Sequence, residues 1–325
     1  MAEENYVKVL QLLSNGDFIS GQKIASELHI SRTAVWKIIQ RLQQQFSVNI
    51  FAVSGKGYCV SGGLDLLNTE RIRNLLAADI KLDFSYVLDS TNRYLIDKQF
   101  PDQAASKHSC LVEYQTAGKG RRGKHWVSGF ARNIELSIAC YLPMTMQQVS
   151  GISIACGVSL ANFVKSLGVQ AVSLKWPNDL HVAGQKIAGI LVEVRGETEG
   201  PVKTVIGVGL NLDIGDVSMH EFDNPATDLK RHLLGKKVDR TEIAANLIQT
   251  LANTIDEYAD KGLSAFVSAW SEFDQYLNQP VTLHAVNNEY TGIYRGINDQ
   301  GMMLLENANG LCAYGAGEVS LRRGQ

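Results

Sequence analysis

A glycine-rich, cationic loop is the part of this sequence whose residue types suggest chemistry most directly. Residues 118–124 read Gly-Lys-Gly-Arg-Arg-Gly-Lys, with three glycines and four cations in seven positions. Glycine lets the backbone turn tightly and bring its N–H groups close to a ligand. Arginine adds a planar fork that matches phosphate or carboxylate. We therefore expect this loop to close on an anion.

Two known phosphate-binding motifs match the loop formally but lack their structural context. The loop fits G-x-x-x-x-G-K, yet His125 follows where a P-loop has Ser or Thr for magnesium. It also fits the G-x-G-x-x-G pattern of dinucleotide-binding folds. Both motifs need a helix that begins at the loop, whereas the residues after Lys124 read as a long loop returning to a strand. Both motifs are therefore rejected.

Four further segments carry polar side chains suited to ligand binding, which argues against a simple nucleic-acid patch. They are Asp89-Ser-Thr-Asn92, Lys175-Trp-Pro-Asn-Asp179, Gly184-Gln-Lys-Ile-Ala-Gly189 and Gly207-Val-Gly-Leu-Asn211. Each segment alone also fits a structural role, as a helix cap, a turn or a place of close strand packing. Together, the four segments disfavour a nucleic-acid patch as the sole role of the cationic loop.

Near the start of the chain, the pattern of residues 19–42 predicts a helix, a tight turn and a second helix. Ser20 and Ser31 stand where the two helices would be capped. A buried stripe is predicted on the second helix by apolar residues at i, i+3, i+4 and i+7, namely Val35, Ile38, Ile39 and Leu42.

A two-stranded hairpin with a cationic, glycine-rich tip is predicted at residues 48–60, which would form a wing beside the helix pair. A helical packing domain with a solvated polar face is the alternative, and the wing favours DNA binding. Polar and aromatic side chains on the outer face can reach bases and phosphates. The predicted DNA-contacting residues are Gln22, Ser31, Arg32, Thr33, Trp36, Lys37, Gln40, Arg41 and, at the wing tip, Lys56.

The rest of the chain reads as mixed α/β sequence followed by short strands. Strands are predicted at residues 84–88, 110–114, 134–141, 171–176, 189–194 and 204–212. Helices are predicted at residues 68–77, 91–99, 147–167 and 239–261. From residue 280, short strands alternate with turn residues, which predicts a small all-β unit of about fifty residues.

Composition and charge are those of a folded protein. The 325 residues are 45% hydrophobic and 20% charged, and the net charge is −2. Residues 1–60 hold six Lys and Arg against four Asp and Glu, so a slightly basic head precedes an acidic body. The five dispersed cysteines indicate reduced core residues. An acidic N-terminus and the lack of an apolar run of about 18 residues predict a cytoplasmic protein without a membrane partner.

Taken together, the polar segments resemble those of the biotin protein ligases. The resemblance rests on Asp89-Ser-Thr-Asn, Glu113-Tyr-Gln-Thr-Ala-Gly-Lys-Gly-Arg-Arg-Gly-Lys-His-Trp, Lys175-Trp-Pro-Asn-Asp-Leu, Lys186-Ile-Ala-Gly-Ile-Leu-Val-Glu and Gly207-Val-Gly-Leu-Asn. The winged helix in front and the small β unit behind make the chain similar to the bifunctional form, which also represses the biotin operon.

The resemblance implies an α+β fold of three parts. These are an N-terminal winged helix-turn-helix domain at residues 1–64, a central mixed-sheet α/β ligase domain of the biotin/lipoate ligase type at residues 65–273, and a C-terminal SH3-like small β-barrel at residues 274–325. In such enzymes the biotin carboxylate attacks the α-phosphate of ATP, in the presence of Mg²⁺, to give biotinyl-5′-AMP. A lysine of the biotin carboxyl carrier protein of acetyl-CoA carboxylase, or of a related carrier, then takes the biotinyl group.

Residue roles follow from the matched motifs. The resemblance implies Lys186 and Arg121 as catalytic groups, Asp179 as a magnesium ligand, and Trp126 and Trp176 as apolar surface for the ligand. It implies biotin contacts at Ser90, Thr91, Asn92, Gln115, Gly118, Lys119, Gly120, Arg121, Lys186 and Gly189. It implies ATP contacts at Arg121, Lys124, Trp126, Lys175, Asn178, Asp179, Lys186 and Asn211.

One departure from the family pattern concerns the cationic loop. The family usually has Gly-Arg-Gly-Arg-Arg-Gly-Arg, whereas this chain has Lys119 and Lys124 in place of two arginines. Charge is kept, but the bidentate fork is lost at both positions.

The resemblance also implies partners and leaves two alternatives open. A homodimer bound to operator DNA, with the adenylate as corepressor, is expected to control genes of biotin synthesis and transport. The alternatives are a lipoate ligase, which shares the fold and the reaction logic, and a biotin-sensing repressor with weak catalysis.

Overall fold

The computed structural model describes residues 2–46, 48–100, 106–127, 129–196, 201–215, 225–233, 235, 238–284, 288–316 and 320–323. Within them, the chain forms a winged head, a central unit built on a seven-stranded sheet and a C-terminal five-stranded sheet. The predicted α+β class is confirmed. The divisions after residues 64 and 273 stay predictions, and the outer ends, residues 1 and 325, lie outside the described residues.

The head begins with three helices, α1 (Ala2–Leu13), α2 (Gly21–Leu28) and α3 (Arg32–Phe46). The Ser20 hydroxyl accepts a hydrogen bond from the N–H of Lys23, and the Ser31 hydroxyl accepts one from Ala34, each at 3.1 Å. Both predicted caps are therefore confirmed. The predicted apolar stripe of α3 is buried against α1 and α2.

The wing is a short antiparallel pair, β1 (Ile50–Val53) and β2 (Gly57–Val60). Lys56, at its tip, is exposed, and its Nζ lies 5.8 Å from the centroid of the Phe18 ring. The predicted winged helix-turn-helix is thus confirmed, with the wing beside the N-terminal end of α2.

The central sheet contains β3 (Ile80–Leu88), β4 (Lys107–Gln115), β5 (Ile134–Leu142), β6 (Val172–Lys175), β7 (Asp179–Val182), β8 (Gln185–Arg195) and β9 (Val202–Leu210). Their order across the sheet is β3-β4-β5-β9-β8-β7-β6. Only β3 and β4 pair in parallel among these described strands. Both faces of the middle strands are covered, so those strands read as continuous apolar runs.

Helices cover the two faces of this sheet: α4 (Thr69–Leu75), α5 (Thr91–Asp97), α6 (Met146–Val149), α7 (Ile152–Ser166), α8 (Leu229–His232), α9 (Arg240–Lys261) and α10 (Ser264–Phe273). Helices α7, α9 and α10 pack together over one face and form the main core. Helix α5 lies on the other face, where Leu95 packs with Cys110 and Val112. The N-terminus of α5 and the ends of the middle strands therefore meet on this second face.

Residues Met146–Ser166 correct the expectation that no segment approaches a membrane span. By length and composition, this helical segment is apolar enough to cross a membrane. In the folded protein 61% of the 18-residue apolar window within it is buried, and α7 packs against α9, α10 and the sheet. A helix that is enclosed on most sides is apolar around its whole circumference, which gives the same composition.

Several predicted elements differ from those observed, mainly in short or enclosed segments. Strand β7 and helix α10 were not predicted, β8 begins before residue 189, and the predicted helix 147–167 is divided into α6 and α7. Strand β7 carries Asp179 and the buried His181 among its four residues, so it lacks an apolar run. Helix α10 buries Phe266, Trp270 and Phe273 at helical spacing and exposes Ser268 and Glu272, so its signal was present in the sequence.

The cysteines behave as predicted from their apolar surroundings. Those at 59, 110, 140 and 156 are buried, and Cys312 is half-buried, all with free thiols. Burial raises the pKa of Cys110, Cys140 and Cys156 to about 12. Since the thiolate is the reactive form, these three thiols are poor nucleophiles.

The C-terminal unit contains β10 (Pro280–His284), β11 (Glu289–Ile297), β12 (Met303–Asn307), β13 (Gly310–Tyr314) and β14 (Ser320–Arg323). They form one antiparallel sheet in the order β13-β12-β11-β10-β14. The predicted all-β unit is confirmed. Closure into an SH3-like barrel stays a prediction, since no β13–β14 pairing is present among the described residues.

Both outer units contact the central one close to its functional loops. The Phe46 ring, at the end of α3, lies 5.4 Å from the ring of Tyr114 and 5.9 Å from that of Phe130. On the other side, Trp176 Nε1 donates to the carbonyl of Gly301 at 3.1 Å. The outer units thus abut the strand end and the turn that carry predicted site residues.

Candidate active site and DNA-binding surface

A cavity of about 460 Å³ opens on the second face of the sheet, above a floor of glycines. Gly189 on β8 pairs with Gly209 on β9, and Gly207 lies on the same face two residues earlier. A Cβ at Gly207 would lie 2.2 Å from Asn92 Oδ1, and one at Gly209 would lie 2.3 Å from Trp126 Cε2. Glycine is required there because both side chains rest on the bare backbone.

A neutral hydrogen-bonding wall is formed by the N-terminus of α5 and the end of β4. Gln115 Oε1 accepts from the Thr91 N–H at 2.9 Å and lies 3.2 Å from Thr91 Oγ1. Ser90 is the N-cap of α5 and is only 3% exposed. Asn92 Nδ2 donates to Glu193 Oε2 at 2.7 Å. The wall is therefore held in place by hydrogen bonds, and its four side chains are uncharged.

The cationic loop folds into a tight hairpin, which we call the flap (residues 118–126). The Gly120 N–H donates to the Lys124 carbonyl at 2.7 Å, and the Trp126 N–H donates to the Gly118 carbonyl at 2.9 Å. Its tip is a 3₁₀ turn at Arg121–Gly123. No α-helix begins at the flap, so the rejection of both phosphate motifs is confirmed.

Arg121 anchors the tip of the flap to two other parts of the molecule. Its NH1 donates to Asn178 Oδ1 at 3.3 Å, and its NH2 donates to the Ala316 carbonyl in the C-terminal unit. Burial lowers the pKa of Arg121, while Asp179 opposes that shift and Arg122 adds to it. An arginine remains protonated in proteins, so the cavity contains a partly desolvated positive charge.

Lys186 and Asp179 form an ion pair inside the cavity, with Nζ 2.6 Å from Oδ1. Their side chains are 24% and 18% exposed. The Lys186 N–H donates to Pro225, and its carbonyl accepts from Thr227, both at 2.9 Å. The ammonium group is thus held in the cavity on a fixed backbone, where an anionic ligand would meet it.

The histidine paired with Lys186 across β7 and β8 does not act as a second cation. His181 is buried, and burial lowers its pKa to about 4, with Asp179 opposing the shift. The imidazole is therefore neutral near pH 7. Its Nδ1 lies 3.2 Å from the Gly184 carbonyl, which assigns His181 a place in the turn between the strands.

Two buried polar atoms of the lining have no hydrogen-bond partner among the described residues. They are Trp126 Nε1, a donor, and Asn211 Oδ1, an acceptor. The Asn211 Nδ2 donates to the Thr227 carbonyl at 3.1 Å, which fixes the orientation of the amide. Buried polar atoms are nearly always paired. This pair therefore indicates a ligand that both accepts and donates hydrogen bonds.

The structure brings almost all predicted ligand-binding residues together. Gly118 is the exception among them, because it packs under Trp126 and does not line the cavity. Trp176 lines the cavity but is 2% exposed and belongs mainly to the core. The binding role of each predicted residue stays a prediction. The predicted residues that line the cavity are Ser90, Thr91, Asn92, Gln115, Lys119, Gly120, Arg121, Lys124, Trp126, Lys175, Asn178, Asp179, Lys186, Gly189 and Asn211.

Sequence reasoning missed several cavity residues. Arg122, His125, Gly207 and Gly209 line the cavity but were not assigned to it. The two glycines carried a signal, because a Gly-x-Gly pair in a strand places both glycines on one face. Arg122 and His125 belong to a loop, whose side-chain directions no sequence pattern fixes.

The predicted DNA-contacting residues lie on the outer face of the head. Gln22, Ser31, Arg32, Thr33, Lys37, Arg41 and Lys56 are exposed, Trp36 is 53% exposed, and Gln40 is half-buried. The Ser31 hydroxyl is occupied as the cap of α3, and Arg41 NH1 donates to Tyr6 OH at 2.6 Å. The structure thus offers a polar helix face and a wing, and contact with DNA stays a prediction for each residue.

Comparison with protein families identifies all three units. Residues 84–211 match the biotin/lipoate A/B protein ligase family, residues 7–59 match an HTH domain, and residues 276–322 match the biotin protein ligase C-terminal domain. The family match to the central unit spans the strands and the flap that form the cavity.

Individual relatives extend the likeness to nearly the whole chain. The bifunctional ligase/repressor BirA of Escherichia coli is 37% identical over 97% of both chains. The bifunctional ligase/repressor BirA of Bacillus subtilis is 26% identical over 95% of both chains. A solved biotin protein ligase of Aquifex aeolicus, in complex with biotin and ATP, matches with a TM-score of 0.63 and 24% identity, covering 75% of this chain and 99% of its own.

The Aquifex comparison supports the fold over three quarters of the chain. The Escherichia coli relative carries the assignment, because its likeness runs from the head through the cavity to the C-terminal sheet. The chain belongs to the biotin protein ligase family, with the three-part organisation of its bifunctional ligase/repressors.

Proposed function

We propose that this protein is an ATP-dependent biotin protein ligase that is also a DNA-binding repressor. The observation that carries the ligase activity is one cavity with a neutral wall at Thr91 and Gln115 and cations at Arg121 and Lys186. A ureido ring needs fixed hydrogen-bond partners once it is buried, and two reacting anions need positive charge. The cavity supplies both in one continuous space.

The first step joins the biotin carboxylate to the α-phosphate of ATP and releases pyrophosphate. No enzyme nucleophile is required, so the protein contributes position and charge. Lys186 bridges the carboxyl oxygen and the α-phosphate, and Arg121 closes over them with the flap. Trp126 and Asn211 take the nucleotide, since each has one unpaired buried atom to offer.

The second step transfers the biotinyl group to a lysine of a biotin carboxyl carrier protein. The lysine amine attacks the acyl carbon of the adenylate, and AMP leaves. The same cations stabilise the charge that develops on the leaving phosphate. Acceptors of the acetyl-CoA carboxylase type and related carriers are the proposed substrates.

Magnesium is proposed to enter as the Mg²⁺ complex of ATP. No group of three or more His, Cys, Asp or Glu side chains suited to a metal exists in the described part of the chain. Asp179 is the only carboxylate among the described lining residues, and Lys186 already donates to it. One carboxylate plus substrate phosphates is a common arrangement for Mg²⁺, whereas a resident metal site needs more ligands.

A carrier assay tests the ligase activity. The protein is incubated with biotin, Mg-ATP and an acceptor biotin carrier domain, and the mass of the carrier is measured. An increase by one biotinyl group is expected, and none should occur without ATP. An unchanged mass would remove the ligase activity, and lipoylation in a parallel reaction would favour the lipoate alternative. The biotin-type C-terminal domain and the winged head argue for biotin.

Lysine at position 119 is expected to shorten the retention of the adenylate. Lys119 is exposed on the flap beside the cavity, and an arginine there would add a bidentate fork. Lys119→Arg should slow the release of labelled biotinyl-AMP by up to about tenfold, the worth of one strong hydrogen bond. Lys119→Gln serves as the control, with faster release. Equal release from the parent and Lys119→Arg would contradict this prediction.

The head is proposed to bind a two-fold operator as a homodimer in the cytoplasm. The head has only a small excess of Lys and Arg over Asp and Glu, so one head alone would bind DNA weakly. Two heads on one operator would bind more tightly. Binding of the adenylate would favour the dimer, and dimer formation would raise operator affinity. Operator affinity that is unchanged by biotin plus ATP would contradict this control.

Replacing Arg32 or Lys37 with alanine is expected to separate the two activities. Both residues are exposed on α3 and lie outside the ligase cavity. Each change should weaken operator binding by about 5- to 150-fold, as for a lost base contact. Carrier biotinylation should stay unchanged. Fluorescence anisotropy with operator DNA measures the first effect, and Lys8→Ala on the exposed side of α1 is the matched control.

A further inference from the structure

A buried ion pair lies behind the cavity, and the proposed mechanism does not use it. Arg240, the first residue of α9, places NH1 2.6 Å from Glu113 Oε2 on β4, and both side chains are at most 2% exposed. Arg240 also donates to the Asn133 carbonyl from Nε at 3.0 Å and from NH2 at 2.8 Å. Neither charged residue lines the cavity.

The pair joins the ends of two strands that carry site residues. Glu113 stands two residues before Gln115 in β4. Asn133 directly precedes β5, and its Oδ1 accepts from the Leu212 N–H at 3.2 Å, next to Asn211. The contacts of the guanidinium group therefore lead, through Glu113 and Asn133, to chain neighbours of Gln115, which accepts from Thr91, and of Asn211, whose buried Oδ1 has no partner among the described residues.

The same pair also holds the segment that follows the wing. Arg240 NH1 donates to the Asp65 carbonyl at 2.8 Å, and Glu113 Oε1 accepts from the Leu67 N–H at 2.7 Å. The Glu113 carbonyl accepts from Ala131, just beyond the flap, at 3.1 Å. The linker (residues 65–67), the return from the flap and both strand ends thus meet at this ion pair.

The chemistry of the pair indicates positioning more than stability. Removing two charges from water is costly, and an apolar pair of similar volume often stabilises a core as well. Directional hydrogen bonds do what apolar packing cannot, because they fix the register of separate segments. We propose that Arg240 is a positioning residue for the ligase site, holding Gln115 and Asn211 at their working separation; this rests on the proposed ligase function.

Loss of this positioning should affect ligand binding more than turnover. Gln115 and Asn211 contact parts of the substrates away from the reacting atoms, so they bind the ground state and the transition state alike. A displacement of Gln115 or Asn211 weakens the binding of substrate and transition state equally, which raises KM with little change in kcat. A purely structural role would instead lower the amount of folded enzyme and leave KM unchanged.

The test compares two buried cations near opposite ends of β4, namely Arg240 of α9, which contacts Glu113, and Lys107, the first residue of the strand. Arg240→Met removes the guanidinium group that makes these contacts. Lys107→Met removes a lysine that is 3% exposed and paired with Asp79 and Asp256 at the far end of the strand. Each full-length variant is assayed below the onset of its own thermal unfolding. Arg240→Met should raise the KM for biotin and the release rate of biotinyl-AMP by about 10- to 100-fold. Lys107→Met should leave both within about twofold.

A third variant and the parent enzyme separate failure of the positioning role from failure of the ligase function. Arg240→Lys keeps the charge but loses the fork, so a partial effect between parent and Arg240→Met is expected. Equal KM and release rates in Arg240→Met and the parent would overturn the positioning role while leaving the ligase function in place. A parent that fails to biotinylate the carrier or to bind biotin in calorimetry would overturn both.

Discussion

Replacing Lys186 with glutamine is expected to lower the rate of biotinyl-adenylate formation by about 100- to 1000-fold, the usual cost of one preorganised charge donor. Lys186 is the cation whose ammonium group is held inside the cavity, 2.6 Å from Asp179. Two anions must approach each other in this reaction, and without that charge their repulsion is not offset. The measurement is pyrophosphate release under single-turnover conditions.

Biotin affinity and folding provide the controls for this prediction. The backbone of Lys186 is fixed by Pro225 and Thr227, so the strand should keep its position when the side chain changes. Biotin binding by calorimetry should therefore fall much less than the rate. Lys261→Gln, which removes an exposed lysine on α9, should behave like the parent. A Lys186→Gln enzyme with the parental rate would exclude Lys186 as the catalytic cation.

Gly209→Ala is expected to weaken adenylate binding by about 100-fold, although it adds a single methyl group. That methyl would lie 2.3 Å from Trp126 Cε2 and 2.4 Å from Cζ2, so the indole must move. Trp126 ends the flap hairpin through its hydrogen bond to Gly118, and a displaced indole displaces the flap. A misplacement of about 1 Å at a binding group is enough for an effect of this size.

A glycine with more room around it gives the matched control for the floor. A Cβ at Gly157, on the core helix α7, would meet its nearest neighbours at 3.4 Å, which is ordinary contact. Gly157→Ala should therefore retain adenylate affinity. Release of labelled biotinyl-AMP measures both variants, and tryptophan fluorescence reports the displacement of Trp126. Parental retention by Gly209→Ala would show that the flap does not depend on this close approach.

Local sequence signals predicted the winged head well because its elements are short-range. Ser20 and Ser31 cap helices through bonds to residues three positions later, and the α3 stripe follows from helical spacing. Such features depend on neighbours in the chain, and spacing shows them directly. The central sheet was harder to predict, since β7 carries Asp179 and His181 and has no apolar run, and β8 begins before its apolar run.

The motifs that carry chemistry were visible in the sequence for a related reason. Ligand contacts need specific residue types, and Thr91, Gln115, Arg121 and Lys186 belong to short segments that the family resemblance identified. That these segments line one cavity depends on the sheet order, which places β9 between β5 and β8. No spacing along the chain contains that information.

The sequence by itself determined that a cationic, glycine-rich flap would belong to a ligase with a winged head and a β unit behind it. Only the tertiary structure decided that glycines 207 and 209 form a floor and that Arg121 reaches the C-terminal unit. It also decided that Arg240 joins the linker to the strand ends. The physical reason is range: caps and stripes form between near neighbours, whereas these contacts join residues more than eighty positions apart.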